Sequence, residues 1–293
     1  MNSNYIQPRT RQELSQALGQ MTENSRIIAG GTDLMASDHG RDSGTDLYIS
    51  LFCLGDMAEI YREDGWVRIG AGAVHDAIEK NPIIQENFRA LSMACSKVGS
   101  QQIRNKGTIG GNLVNASPAG DMLPCVCLFL GEVEILRADD TTYRMPARDF
   151  ILGAGKTALK PKEALYAVWL PIQEGRSSTF VKLGSRKEVT IAQISMAVSW
   201  EKGEYFQKIE GYLGAVDTRP IYLEEMNHIL AGRAVGREER EELVSSLRER
   251  IRVIRENRKQ PPKLKITEAE QLYKERAVRS VVYDVIDQME GES

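Results

Sequence analysis

The 293-residue chain is 42% hydrophobic and 27% charged, an ordinary globular texture with length for about two domains. A formal net charge of -3 supplies no field for gathering nucleic acid or anionic lipid. The longest apolar stretch, near Met122 to Leu130, is interrupted by Pro124 and falls short of the roughly 20 residues that span a bilayer.

The opening MNSNYIQPRTRQELSQAL is polar and lacks the apolar run of a signal peptide, so a cytoplasmic location is expected. Thr10 and Glu13 have capping-box spacing, and Leu14, Ala17, Leu18 and Met21 form a helical stripe behind them. Arg26 to Ala29 reads as a strand stopped by Gly30-Gly31-Thr32-Asp33, and Leu47 to Leu51 as another. Together they predict a small β-α-β unit over residues 1 to about 55.

A second α/β lobe follows. Trp66 to Ile69 predicts a strand, Ala73 to Lys80 a short helix, and Ile83 to about Gln102 one longer helix with Leu91, Ala94, Cys95 and Val98 on one face. A glycine-rich loop covers 107–121, and strands are expected at Glu132–Arg137, Thr142–Met145 and Glu163–Leu170. Glu174 to Ser178 reads as a linker. Strands at Thr179–Leu183, Ile194–Lys202 and Lys208–Val216 come next, then two helices separated by Gln260-Pro261-Pro262. One carries Leu243, Val244, Leu247, Ile251 and Ile254. The other starts at a Thr267–Glu270 capping box and carries Leu272, Tyr273, Ala277, Val281, Val285, Ile286 and Met289. Their Arg- and Glu-rich outer faces read as solvated surface.

Cys53, Cys95, Cys125 and Cys127 have no cluster-binding spacing and read as reduced thiols, small apolar side chains on a buried strand or helix. His39, His75 and His228 have no zinc spacing, so no metal is expected in this chain.

The sharpest signal is Thr108-Ile109-Gly110-Gly111-Asn112-Leu113-Val114-Asn115-Ala116-Ser117-Pro118-Ala119-Gly120-Asp121. Paired glycines let a backbone approach a phosphate and aim N–H groups at it. Thr108, Asn112 and Asn115 add neutral donors, and Asp121 suits ribose or ribityl hydroxyls. For one such pair alone, a tight turn rich in turn-forming residues is the better explanation. A second pair, in Ile27-Ile28-Ala29-Gly30-Gly31-Thr32-Asp33-Leu34, shifts the balance, since two loops could clamp one pyrophosphate. A Rossmann site does this with a single loop.

The combination AGGTD…TIGGNLVNASPAGDMLP resembles the two FAD-binding signatures of the flavoprotein subunits of molybdenum hydroxylases, the xanthine dehydrogenase and carbon monoxide dehydrogenase family. QIRNKGTIGGN is similar to the lead-in of bacterial xanthine dehydrogenase FAD subunits, and KLGSRKEVTIAQISMAVSW to the segment that opens the family's C-terminal domain. The likeness covers nearly the whole chain. It implies an α+β fold with a two-lobed FAD-binding module of the vanillyl-alcohol-oxidase (PCMH) type over 1–175, its lobes about 1–55 and 56–175. A smaller α+β domain of antiparallel sheet and helices would follow over 176–293.

By matching position, Ile27, Ile28, Ala29, Gly30, Gly31, Thr32, Asp33 and Leu34 would wrap the pyrophosphate and adenosine side of FAD. Thr108, Gly110, Gly111, Asn112 and Val114 would form the second phosphate loop, Asp121 would contact the flavin's polar chain, and Leu165 and Lys182 would lie near the flavin. The resemblance also implies a large partner subunit with a molybdenum cofactor and a small one with two [2Fe–2S] clusters. Electrons would pass through FAD to NAD+ or another acceptor. No catalytic acid or base is evident. Xanthine or a related purine is the favoured substrate of the complex, with nicotinate, aromatic aldehydes and carbon monoxide open. The cysteine-rich [4Fe–4S] insertion of one branch of the family has no counterpart here.

Three sequences look functional and are set aside. Gly70-Ala71-Gly72-Ala73-Val74-His75 puts His75 at the third glycine of a dinucleotide fingerprint and reads as a turn or helix cap. Gly153-Ala154-Gly155-Lys156-Thr157 lacks the first glycine of a P-loop, since Phe150 stands there, and Asn115-Ala116-Ser117 is a sequon without meaning in a cytosolic chain. The competing functions are a self-contained FAD oxidase of the same fold and a nucleotide-binding protein without redox work.

Overall fold

The computed structural model describes residues 4–38, 44–186, 189–257 and 268–291. Its first lobe is built on three parallel strands, β1 (Asn4–Ile6), β2 (Arg26–Ile28) and β3 (Leu47–Ser50), in the order β1-β3-β2. Helix α1 (Arg11–Gly19) crosses between β1 and β2 and buries Leu14, Ala17 and Leu18. The Thr10 hydroxyl accepts from the Glu13 N–H, and the Glu13 carboxylate accepts from the Arg9 N–H, so the first turn is fastened from both sides. Helix α2 (Leu34–Asp38) begins directly after the first glycine pair. Strand β1, three residues long, gave no sequence signal.

The second lobe opens with β4 (Ile60–Glu63) and β5 (Trp66–Gly70). Helices α3 (His75–Lys80), α4 (Pro82–Asn87), α5 (Arg89–Ser96), α6 (Gln101–Arg104), α7 (Ile109–Asn115) and α8 (Met122–Leu128) follow. The chain returns through β6 (Glu132–Arg137), β7 (Thr142–Pro146), α9 (Ala147–Phe150), β8 (Ile151–Gly153), β9 (Lys156–Thr157) and β10 (Glu163–Pro171). The main sheet has the order β4-β5-β10-β6-β7, each neighbour antiparallel. The single helix expected over 83–102 is three helices. Phe88 leaves helical geometry (φ -138°, ψ 52°) to bury its ring edge-on against Phe129, with centroids 5.0 Å apart. Gly99, at φ +46°, makes the second break. All seven residues of α8 are buried, and Pro124 lies in its first turn, where a missing N–H costs little.

The third region is an antiparallel meander of β11 (Arg176–Gly184), β12 (Ala192–Glu201), β13 (Gln207–Gly214) and β14 (Ile221–Tyr222). Helices α10 (Glu224–Leu230) and α12 (Glu268–Gly291) pack on this sheet, and α11 (Arg237–Asn257) packs against both of those helices. The linker expected at Glu174–Ser178 is shorter than that, because β11 starts at Arg176 and the Ser178 hydroxyl already accepts from the Ala90 N–H at 3.1 Å. Leu272 and Tyr273, expected on the buried stripe of the last helix, are exposed, and burial begins at Ala277. The expected Gln260-Pro261-Pro262 break and the Thr267 cap lie outside the described residues. The outer faces of α11 and α12 carry ion pairs such as Arg240–Asp287 and Arg279–Glu241, as a solvated surface would.

Apolar side chains gather in two clusters. One spans Leu14 to Leu170 and takes in Phe180, Ala197 and Tyr212 from the meander. The other joins Val181, Ile194, Met196 and Trp200 to the inner faces of α10, α11 and α12. Phe180 and Val181 are successive residues of β11, so the period-2 alternation of one strand feeds both clusters.

Candidate functional site

Strand β2 stops at Ile28 and the chain turns through Ala29–Asp33 at the carboxyl edge of the parallel sheet. Gly30 lies so close to another segment that a Cβ there would sit 1.8 Å from the Lys106 carbonyl oxygen. Only glycine permits that approach. Gly31 follows at φ +70°, a left-handed geometry that turns the chain into α2. Among the described residues, the backbone N–H groups of Gly30, Gly31, Thr32 and Asp33 donate to no backbone carbonyl. They form a run of open donors. Ile27, Ile28, Ala29, Thr32 and Leu34 are half-buried and Asp33 is exposed.

The second glycine pair sits differently. It ends no strand; it forms the first turn of α7, with the Thr108 hydroxyl accepting from the Gly111 N–H at 3.0 Å. The Ile109 N–H donates to the Ala73 carbonyl at 3.0 Å and the Gly110 N–H to the Ala71 carbonyl at 2.9 Å. The N–H groups expected to point outward from this pair are therefore already engaged inside the protein. Gly110 is buried because Ala71 leaves no room, its carbonyl oxygen lying 2.6 Å from where a Cβ would be. Gly111 is exposed, and by helical spacing it shares its face with the exposed Val114 and Asn115.

The Gly70–His75 turn, set aside in the sequence, is the scaffold that carries α7. The His75 N–H donates to the Gly107 carbonyl at 3.0 Å, and a Cβ on Gly107 would lie 3.2 Å from the imidazole. Burial, aided by the Arg104 guanidinium, pushes the His75 pKa down to about 4, so the ring is neutral at pH 7. Sequence reasoning missed this residue; its signal was a strand followed by GAGAVH. The Gly153–Thr157 segment forms the β8–β9 hairpin, whose Gly155 N–H donates to the Ala116 carbonyl at 3.0 Å. This hairpin braces the end of α7.

Beyond α7, a Cβ on Gly120 would lie 3.1 Å from Asn112 Oδ1, so that side chain lies beside the turn before Asp121. Asp121 accepts from Lys182 Nζ at 2.6 Å, with both side chains only 5% exposed. Lys182 also donates to the Lys97 carbonyl at the C-terminus of α5, where a cation is favoured. Burial pushes the Asp121 carboxyl up to about 6, partly opposed by the Lys182 ammonium. Asn112 Oδ1 and Asp121 Oδ1 are buried acceptors without a protein partner. Leu165 is buried on β10, one residue before the Tyr166 carbonyl that accepts from Ala71. The sequence-derived residues thus form one continuous track: Gly30 to Lys106, α7, Asn112, Asp121 and Lys182. Open donors stand at one end and unpaired acceptors at the other, which suits an elongated ligand with an anionic segment and a hydroxylated one.

Residues 1–173 match the model of the family described as the FAD binding domain in molybdopterin dehydrogenase. The chain belongs to this family. Over its full course this FAD-binding subunit is 31% identical across 298 aligned residues to the nicotinate dehydrogenase FAD-subunit of Eubacterium barkeri, covering 98% of this chain and 97% of that protein. It is 27% identical over 236 residues to the caffeine dehydrogenase subunit beta of a Pseudomonas species, covering 79% of each. The solved structure of quinoline 2-oxidoreductase from Pseudomonas putida 86 superposes with a TM-score of 0.84 at 22% identity, covering 98% of each chain, which shows the shared α+β fold. The FAD-binding subunit is accordingly an oxidoreductase component of a molybdenum hydroxylase. Among the described residues, no group of His, Cys, Asp and Glu could hold a metal ion and no helix is long and apolar enough to cross a membrane.

Proposed function

We propose that the track from Gly30 to Lys182 holds FAD, and that the subunit relays electrons from the [2Fe–2S] clusters of a small partner subunit to NAD+ or another acceptor. A large partner with the molybdenum cofactor would oxidise a nitrogen heteroaromatic substrate, with xanthine or a related purine favoured. The caffeine dehydrogenase relative supports a purine, and the 31% identity to a nicotinate dehydrogenase subunit favours nicotinate as the second reading. In this reading 1–175 form the FAD module, 176–293 the C-terminal domain, and the complex works in the cytoplasm.

The observation that carries the reading is the backbone contact between Gly30 and Lys106, which brings two distant glycine segments into one site. The open N–H groups of Gly30–Asp33 fit the pyrophosphate, with Ile27, Ile28, Ala29 and Leu34 as the walls behind them. Thr108 and Gly110 fix α7, while Gly111 and Val114 present its accessible face. Asn112 and Asp121 offer acceptors to hydroxyls of the flavin's chain. Lys182 keeps the Asp121 carboxylate in place, and Leu165 contributes apolar wall from β10. FAD, when bound, supplies exchange between one-electron and two-electron carriers. This chain contributes position and electrostatics.

The test is the absorbance spectrum of the purified chain, before and after anaerobic NADH, beside Gly111→Val. The wild type should show flavin bands that NADH bleaches. The variant should keep its fold, because a Cβ there meets only the Thr108 hydroxyl, yet lose most of its flavin. Full flavin content in a folded Gly111→Val would remove α7 from the site, and a chain unable to take up FAD would overturn the assignment.

A further inference from the structure

Phe52 stands just beyond β3, beside the end of β2, where the Leu51 N–H donates to the Ile28 carbonyl at 2.8 Å. Its ring is 74% exposed, an unusual state for phenylalanine beside a packed sheet. The Lys106 ammonium sits 5.5 Å from the ring centroid. The same Lys106 gives its backbone carbonyl to the contact with Gly30. One ring, one cation and the run of open N–H donors therefore meet at the carboxyl edge of the parallel sheet, where such sheets receive ligands. Met35, 72% exposed, lies against Gly31 on the other side of the turn.

We infer that Phe52 and Lys106 form the shelf for the adenine end of the dinucleotide: the base stacks on the open face of Phe52 and the Lys106 ammonium faces the adjoining phosphates. The inference rests on the FAD reading above and adds two residues to it. The chemistry is selective. A purine has a π-face to match the ring, and a cation beside it neutralises phosphate charge without a directional hydrogen bond. The other end of the track, at Asn112 and Asp121, offers acceptors and, among the described residues, no exposed aromatic ring, so it suits hydroxyls and not a second base. The shelf explains why a bare ring persists beside the glycine turn: the ligand covers it.

Deflavinated full-length protein titrated with FAD and with FMN, followed by flavin fluorescence, tests the shelf. FMN has the flavin and one phosphate but no adenosine. Phe52→Leu should weaken FAD binding about tenfold, leave FMN binding within about twofold, and be rescued by Phe52→Trp. Lys106→Gln should weaken FAD most at low salt. Equal weakening of FAD and FMN by Phe52→Leu, or no weakening of FAD, would overturn the shelf while leaving flavin binding in place. A wild-type chain that binds neither flavin would instead bring down the FAD reading, and the shelf with it. Phe52 is exposed and outside both apolar clusters, so Phe52→Leu should fold.

Discussion

At Gly30 the missing Cβ makes room for a carbonyl from a distant segment, and the N–H groups that follow remain open. At Gly110 it makes room for Ala71, and the neighbouring N–H groups are consumed by Ala71, Ala73 and Thr108. The two pairs share their letters, but the first is a donor surface and the second is the seat of a helix whose outer face is the useful part. A double glycine reports close approach, and what approaches it depends on the rest of the fold.

The largest expected effect breaks the first pair. In Gly30→Ala the added carbon meets a backbone carbonyl that cannot swing aside, so the loops must part, at a cost of about 3 kcal/mol and with loss of flavin. Urea unfolding of the flavin-free chain would read the first and absorbance the second. A loss well under 1 kcal/mol would mean the two loops are not in contact.

Acid stability probes the deep end of the track. As pH falls from about 6.5 to about 4, the unfolded chain binds a proton on His75 before the folded one does, so stability is lost. Asp121 works in the opposite sense: the folded carboxyl takes its proton near 6 and the unfolded one only near 3.8, so stability is gained as pH falls through that window. The two slopes offset each other. Asp121→Asn should unmask the histidine, steepening the loss between pH 6.5 and 4 by about 2 kcal/mol in urea midpoints of the flavin-free chain. An unchanged slope would show that Asp121 does not titrate there.

The smallest effect sharpens the contrast at the second pair. Thr108→Ala removes the cap on the Gly111 N–H and should cost about 1 kcal/mol, recovered by Thr108→Ser, in thermal unfolding. No loss at all would show that α7 needs no cap.

Much of the architecture was legible, because local chemistry specified it. The Thr10 cap, the strands at Glu132–Arg137 and Glu163–Pro171 and the alternation along the meander all follow from residues close in sequence. The three-way break of the helix after Ile83 was hidden, since it depends on Phe88 finding Phe129. Both glycine loops were visible as motifs, but the use of the second was not, for its acceptors come from the Gly70–His75 turn. Lys182 and Asp121 could be placed by resemblance, yet their pairing exists only once β11 lies against α5 and the rest of the meander against α8.

Strand β11 also limits how the chain can be divided. Phe180 enters the first apolar cluster, Val181 the second, and Lys182 holds its charge against an acid of the second lobe. A fragment cut after Gly175 would lay bare the surface that Phe180, Ala197 and Tyr212 cover, and would leave Asp121 buried with no counter-ion. Such a fragment should aggregate, and the intact chain should melt as one body, with the strand acting as a hinge pin seated in both halves.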